Sequence, residues 1–135
     1  MSVVRNERED GKLMVIVKSL DLCEYTIHIC KNEKNFPKRA RWILTNDIVN
    51  EAKEQFKCIR SANSISVTTN DEYRERHMLQ IRAYEHLETL LSYLEIAFKE
   101  FDIPKDRIEF WVGKCLETET LLQRWKSSDT ERYQK

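Results

Sequence analysis

The sequence predicts an all-α protein, an antiparallel up-down-up-down four-helix bundle, and three observations carry that expectation. Only 2 glycines and 2 prolines occur in 135 residues, too few for the tight turns of a sandwich, a barrel or a disulfide-stapled scaffold. Charged residues make up 34% of the chain and hydrophobic residues 41%, a balance typical of long helices with one apolar face. Apolar residues then recur at intervals of three and four over several long segments. The length suits one domain with a modest core.

Residues 1–18 read as an N-terminal arm. It is polar as far as Lys12, and its short apolar run, Leu13 to Val17, fits a strand, the start of the first helix, or a strap over a neighbour. The bundle is expected over 19–126. Its first helix runs from about Ser19 to Asn32, with Leu20, Cys23, Ile27 and Cys30 inward and Tyr25 and Ile29 widening that face. Pro37 suits the first turn of the second helix and disfavours helix at Phe36. That helix is expected over about Lys38 to Ala62, with Leu44, Ile48, Ala52, Phe56, Ile59 and Ala62 on one face. Residues 63–70 have weak helix propensity and read as an extended loop, ending in the cap candidates Asn70 and Asp71.

The third helix, about Asp71 to Phe101, places Tyr84, Leu87, Leu91, Leu94, Phe98 and Phe101 in a three-four rhythm, and Ala83, Leu90 and Ala97 in a second row seven apart. Burial of Leu91 and Phe98 is expected from that rhythm. Pro104 breaks it. The fourth helix is expected over about Lys105 to Lys126, with Ile108, Trp111, Val112, Cys115, Leu122 and Trp125 inward, and 127–135 as a frayed polar tail.

Catalytic patterns are missing. Gly11 and Gly113 are too far apart for a glycine-rich phosphate loop. Cys23, Cys30, Cys58 and Cys115 contain no CxxC and read as free thiols packed as small apolar groups. His28, His77 and His86 form neither HExxH nor a zinc-spaced pair with cysteine. No Glu-x-x-His element of the di-iron bundle type occurs, and no nucleophile is paired with a base. The expectation is a protein that is not an enzyme and holds no metal or cofactor. No apolar run approaches the ~20 residues of a membrane span, and no signal-peptide core is present, which points to the cytoplasm.

Charge is unevenly placed. The chain as a whole has 23 basic and 23 acidic residues, but residues 38–60 carry six basic (Lys38, Arg39, Arg41, Lys53, Lys57, Arg60) against three acidic (Asp47, Glu51, Glu54). On a helical wheel Asn46, Asn50, Lys53, Lys57 and Arg60 form a stripe away from the apolar face. Amides and cations on one ridge suit contacts to phosphates and sugars, although a plain solvated face has the same pattern. Phe110 and Leu121 fall opposite Ile108 and Trp111 and mark a candidate subunit interface.

The segment Phe36-Pro37-Lys38-Arg39-Ala40-Arg41-Trp42-Ile43-Leu44 resembles the F-P-K-x-x-R-aromatic-x-L start of helix two in the accessory variability determinant proteins of diversity-generating retroelements. Their superfamily includes proteins encoded by intervening sequences in ribosomal RNA genes. The long helix from His77 to Phe101, the Glu109-Phe110-Trp111 segment with Gly113, and Leu121-Leu122 before Trp125-Lys126-Ser127 extend the resemblance from about Leu13 to Tyr133. The resemblance implies a non-enzymatic bundle that assembles as a homopentameric ring and binds the element's reverse transcriptase and its template RNA during cDNA synthesis. By correspondence, Lys38, Arg39 and Arg41 with the stripe Lys53, Lys57 and Arg60 would form the nucleic-acid or polymerase surface. The competing expectation is a structural oligomeric adaptor that binds another protein and no nucleic acid.

Overall fold

Among the described residues four long helices form, with both prolines in the links between them and both glycines, Gly11 and Gly113, inside helices. The computed structural model describes residues 3–134, with side chains from Met14 to Gln134. Helix α1 spans Val3–Lys31, α2 Asn46–Asn63, α3 Asn70–Glu100 and α4 Lys105–Tyr133. A 3₁₀ turn at Lys38–Ala40 and a π-helical turn at Arg41–Thr45 lead into α2. No strand occurs among the described residues. Each helix packs on its neighbours in the chain, and α4 closes back on α1. The start of α3 lies beside the end of α4, since Arg76 and Gln80 both bond Asp129.

The helix ends follow from local chemistry. Thr69 caps α3 in a reciprocal capping box: the Glu72 backbone N–H donates to Thr69 Oγ1 (3.2 Å), and Glu72 Oε1 accepts from the Thr69 N–H (2.9 Å). The expected caps Asn70 and Asp71 are therefore one and two positions too late, because only Thr69 has the extended backbone a cap needs. The hydroxyl and N–H of Thr68, followed by those of Thr69, all donate to Glu72 Oε1 and hold the Glu72 carboxyl below its usual range. Pro37 and Pro104 sit just before a helical turn, and the Pro104 carbonyl accepts from the N–H groups of Arg107 and Ile108.

The core is a file of fully buried aliphatic and aromatic side chains, among them Leu22, Ile48, Ile59, Leu87, Leu90, Leu94, Trp111 and Leu122. Each such side chain removed from water contributes about 1.5–3 kcal/mol before entropy is counted. The inner face of α2 is the expected one: Leu44, Ile48, Ala52, Ile59 and Ala62 are buried, with Phe56 at its edge.

Four sequence expectations are corrected. The supposed arm is helical from Val3, so the run Leu13–Val17 belongs to α1 and Val15 is in the core; residues 1 and 2 lie outside the described residues. In α1 the inward face is Val15, Ser19, Leu22, Cys23, Thr26 and Ile29, with Leu20 and Ile27 outside. Burial of Ser19 and Thr26 is tolerated because each hydroxyl donates to its own helix, Ser19 to Ile16 O (2.9 Å) and Thr26 to Leu22 O (2.8 Å).

In α3 the deepest row is Ala83, Leu87, Leu90, Leu94 and Ala97. The two alanines let a neighbour approach closely, which rotates Leu91 to half-burial and leaves Phe98 44% exposed. Finally, α4 continues through the supposed tail to Tyr133, since Asp129 is buried against α3.

Candidate nucleic-acid and partner interface

The link between α1 and α2 leads to the two most exposed large hydrophobic side chains among the described residues. The Asn32 carbonyl accepts from the N–H groups of Asn35 and Phe36, and the buried Asn35 side chain donates to Ile29 O (3.3 Å), closing the end of α1. Phe36 then drops into the core between Phe101 (5.6 Å between ring centroids) and Trp111 (6.2 Å). With Phe36 and Ala40 anchored, the chain winds through the π turn with Leu44 and Thr45 inward. The cost is borne by Trp42 and Ile43, which stand 83% and 72% exposed. A π turn carries one residue more than an α turn and is frequent at functional sites.

Lys38, Arg39 and Arg41 flank this projection in the chain, and all three are exposed. Lys38 reaches Glu33 at 3.8 Å, an exposed pair of little energetic weight. A cleft of about 280 Å³ beside them is lined by Cys30, Phe36, Pro37, Lys38 and Arg41. Along α2 the expected stripe is presented to solvent: Asn46, Asn50, Lys53, Lys57 and Arg60 are all exposed. Its neighbour Glu51 is engaged elsewhere, with Oε2 2.6 Å from Nδ1 of His86 on α3.

Phe110 and Leu121 do not share an outward ridge. Their side of α4 flanks α1: Phe110 meets Tyr25 edge-on at 5.3 Å, Lys114 pairs with Asp21, and Glu117 pairs with Lys18 at 3.3 Å. Phe110 keeps 56% exposure beneath the Lys114 ammonium, whereas Leu121 is half-buried against the core. The expectation of a ridge opposite Trp111 is corrected: this side of α4 turns towards α1, where Tyr25 meets the rings of both Phe110 and Trp111 (5.3 and 6.2 Å).

Two polar clusters had no signal in the sequence. At the far end of α3, the Arg76 guanidinium donates from Nε and Nη2 to the two oxygens of Asp129 (2.8 and 2.7 Å), and Gln80 Nε2 donates to Asp129 Oδ2 (2.8 Å). Trp125 and Tyr133 cover the guanidinium at 5.1 and 5.8 Å from their ring centroids. In an open groove of about 680 Å³ between α3 and α4 lie Tyr84, Glu119 and Gln123. Burial, then the hydrogen bond that the protonated Glu119 donates to the Glu88 carboxylate, and the charge of Glu88, push the Glu119 carboxyl up to about 8. The charges of Glu119 and Glu88 in turn raise the Tyr84 phenol.

All four cysteines are free thiols, and burial pushes Cys30 and Cys115 up to about 12. Among the described residues no three histidine, cysteine or acidic side chains converge as metal ligands, and no helix is long and apolar enough to cross a membrane. No protein-family model, curated protein or solved structure matches the chain.

Proposed function

We propose that this chain is a non-enzymatic, cytoplasmic accessory protein of the kind its sequence resembles, binding a reverse transcriptase and its template RNA or cDNA. The binding surface is the start of helix two, Lys38, Arg39 and Arg41, together with Asn46, Asn50, Lys53, Lys57 and Arg60. One observation carries the reading: all eight side chains reach solvent, and they run in sequence from the α1–α2 link along one side of α2. The helices form an up-down-up-down bundle, which the adjacency of Arg76 and Asp129 supports, and the bundle assembles as a homopentameric ring with the exposed Phe110, rather than the half-buried Leu121, near the subunit boundary. Five copies turn a stripe of three cations into fifteen, so weak phosphate contacts become effective together.

A filter-binding titration of RNA against salt tests this. Replacing Lys53, Lys57 and Arg60 together by Gln should flatten the log–log salt slope by about 2 for single-stranded RNA, at roughly 0.7 for each phosphate no longer neutralised. An unchanged slope removes the stripe from the surface. Absence of RNA binding at low salt leaves the adaptor reading.

A further inference from the structure

The exposed ridge of α2 does not begin at Asn46. Trp42 lies four residues before Asn46, and the spacing then continues to Asn50, Lys53, Lys57 and Arg60 in steps of four, three, four and three. Carrying the regular turn of the helix backwards from Asn46 puts Trp42 on the same line. Over Arg41–Thr45 the wider π turn rotates each residue by less than an α turn does, which carries Trp42 from one margin of that stripe to the other, and the indole stands almost wholly in solvent. One ridge, about 27 Å long at roughly 1.5 Å per residue, therefore carries a flat aromatic plate, then two amides, then three cations. Lys38, Arg39 and Arg41 flank the plate, and no carboxylate pairs with Arg39, Arg41, Lys53, Lys57 or Arg60 among the described residues.

From this order of side chains we infer that Trp42 is a stacking platform for an unpaired base, and that the ridge takes single-stranded rather than double-stranded nucleic acid. A base in a duplex has no free π-face to offer an indole on a convex surface, whereas a single strand lays a base on the plate and its phosphates along the cations. A protein partner would meet an apolar groove, but Trp42 and Ile43 project from the surface among five cations of the segment 31–41 (Lys31, Lys34, Lys38, Arg39, Arg41) with Glu33 the single acid there. The surroundings are complementary to polyanion. This inference rests on the RNA-binding reading above and narrows it to the form of strand and the residue that grips it.

The protein supplies its own reporter, because Trp111 and Trp125 are buried and Trp42 is the exposed tryptophan. Intrinsic fluorescence is titrated with an oligouridylate of about 15 nucleotides, long enough to span the ridge and its flanks, and with a duplex RNA of equal length. The affinities of the intact chain, Trp42→Leu and Trp42→Tyr are compared by filter binding, since the variants lack the reporter. The expected result is quenching by the single strand and not by the duplex. Trp42→Leu should weaken oligouridylate binding by about tenfold or more while leaving the salt slope unchanged, and Trp42→Tyr should restore most of the affinity. Binding without quenching, with equal affinity for Trp42→Leu, overturns the stacking role and leaves the basic surface standing. Equal quenching by the duplex also overturns it. Failure of the intact chain to bind either RNA removes the basic-surface reading together with this one. Quenching that follows protein concentration without RNA assigns the plate to a second copy and overturns the inference.

Discussion

Asp129 and Glu119 are two buried carboxylates with opposite settings. Asp129 is fully matched by Arg76 and Gln80, and its removal would strand a guanidinium that is only 2% exposed. Asp129→Ala should therefore cost about 3–5 kcal/mol in urea denaturation, while Arg76→Met combined with Asp129→Leu should recover most of that loss. Among the described residues no cation forms an ion pair with Glu119, and its Oε2 atom finds no hydrogen-bond partner. Its folded pKa of about 8 lies above the ordinary glutamate value of 4.5, so the folded state holds a proton that the unfolded state releases. Stability from this group is intact below pH 4.5, falls as pH rises from there towards 8, and is lowest above about 8. Glu119→Gln should remove the decline, melting higher than the intact chain above about pH 8 and showing little difference below pH 4.5; thermal melts across that range measure it.

At the scale of elements, the helices differ in how far their patterns reveal them. The apolar face of α2 was legible because Leu44, Ile48, Ala52, Ile59 and Ala62 stand against charged residues on the other side. In α1 apolar residues occur nearly all round, and the buried register is decided by Ser19 and Thr26, which a hydropathy pattern counts as surface. Each satisfies itself on its own backbone and then serves a neighbour: the Ser19 carbonyl accepts from Gln55 Nε2 (2.8 Å) and the Thr26 hydroxyl from Trp111 Nε1 (2.9 Å). In α4, Gly113 sits in mid-helix, and a methyl group added at its Cα would meet nothing within 4 Å. Gly113→Ala should accordingly stabilise the protein by about 0.5–1 kcal/mol, raising the melting temperature by roughly 2–4 °C.

For the molecule as a whole, the class of fold was legible from composition and periodicity, and so were the cations of the candidate surface. The projection of Trp42 was not, because it lies on a π turn between the core residues Phe36 and Leu44 that no hydropathy pattern announces. The Arg76–Asp129 pair was equally hidden, since its partners are 53 residues apart in the chain. These two features occupy different ends of the protein. Phe101, against which Phe36 packs, lies about 37 Å along α3 from Arg76 at roughly 1.5 Å per residue. Sites so far apart with no shared neighbours are energetically independent. A substitution that tightens or loosens the Arg76 end shifts the population of folded molecules and leaves the affinity of each folded molecule at Trp42 unaltered, so the chain's robustness and its grip on a ligand are free to vary separately.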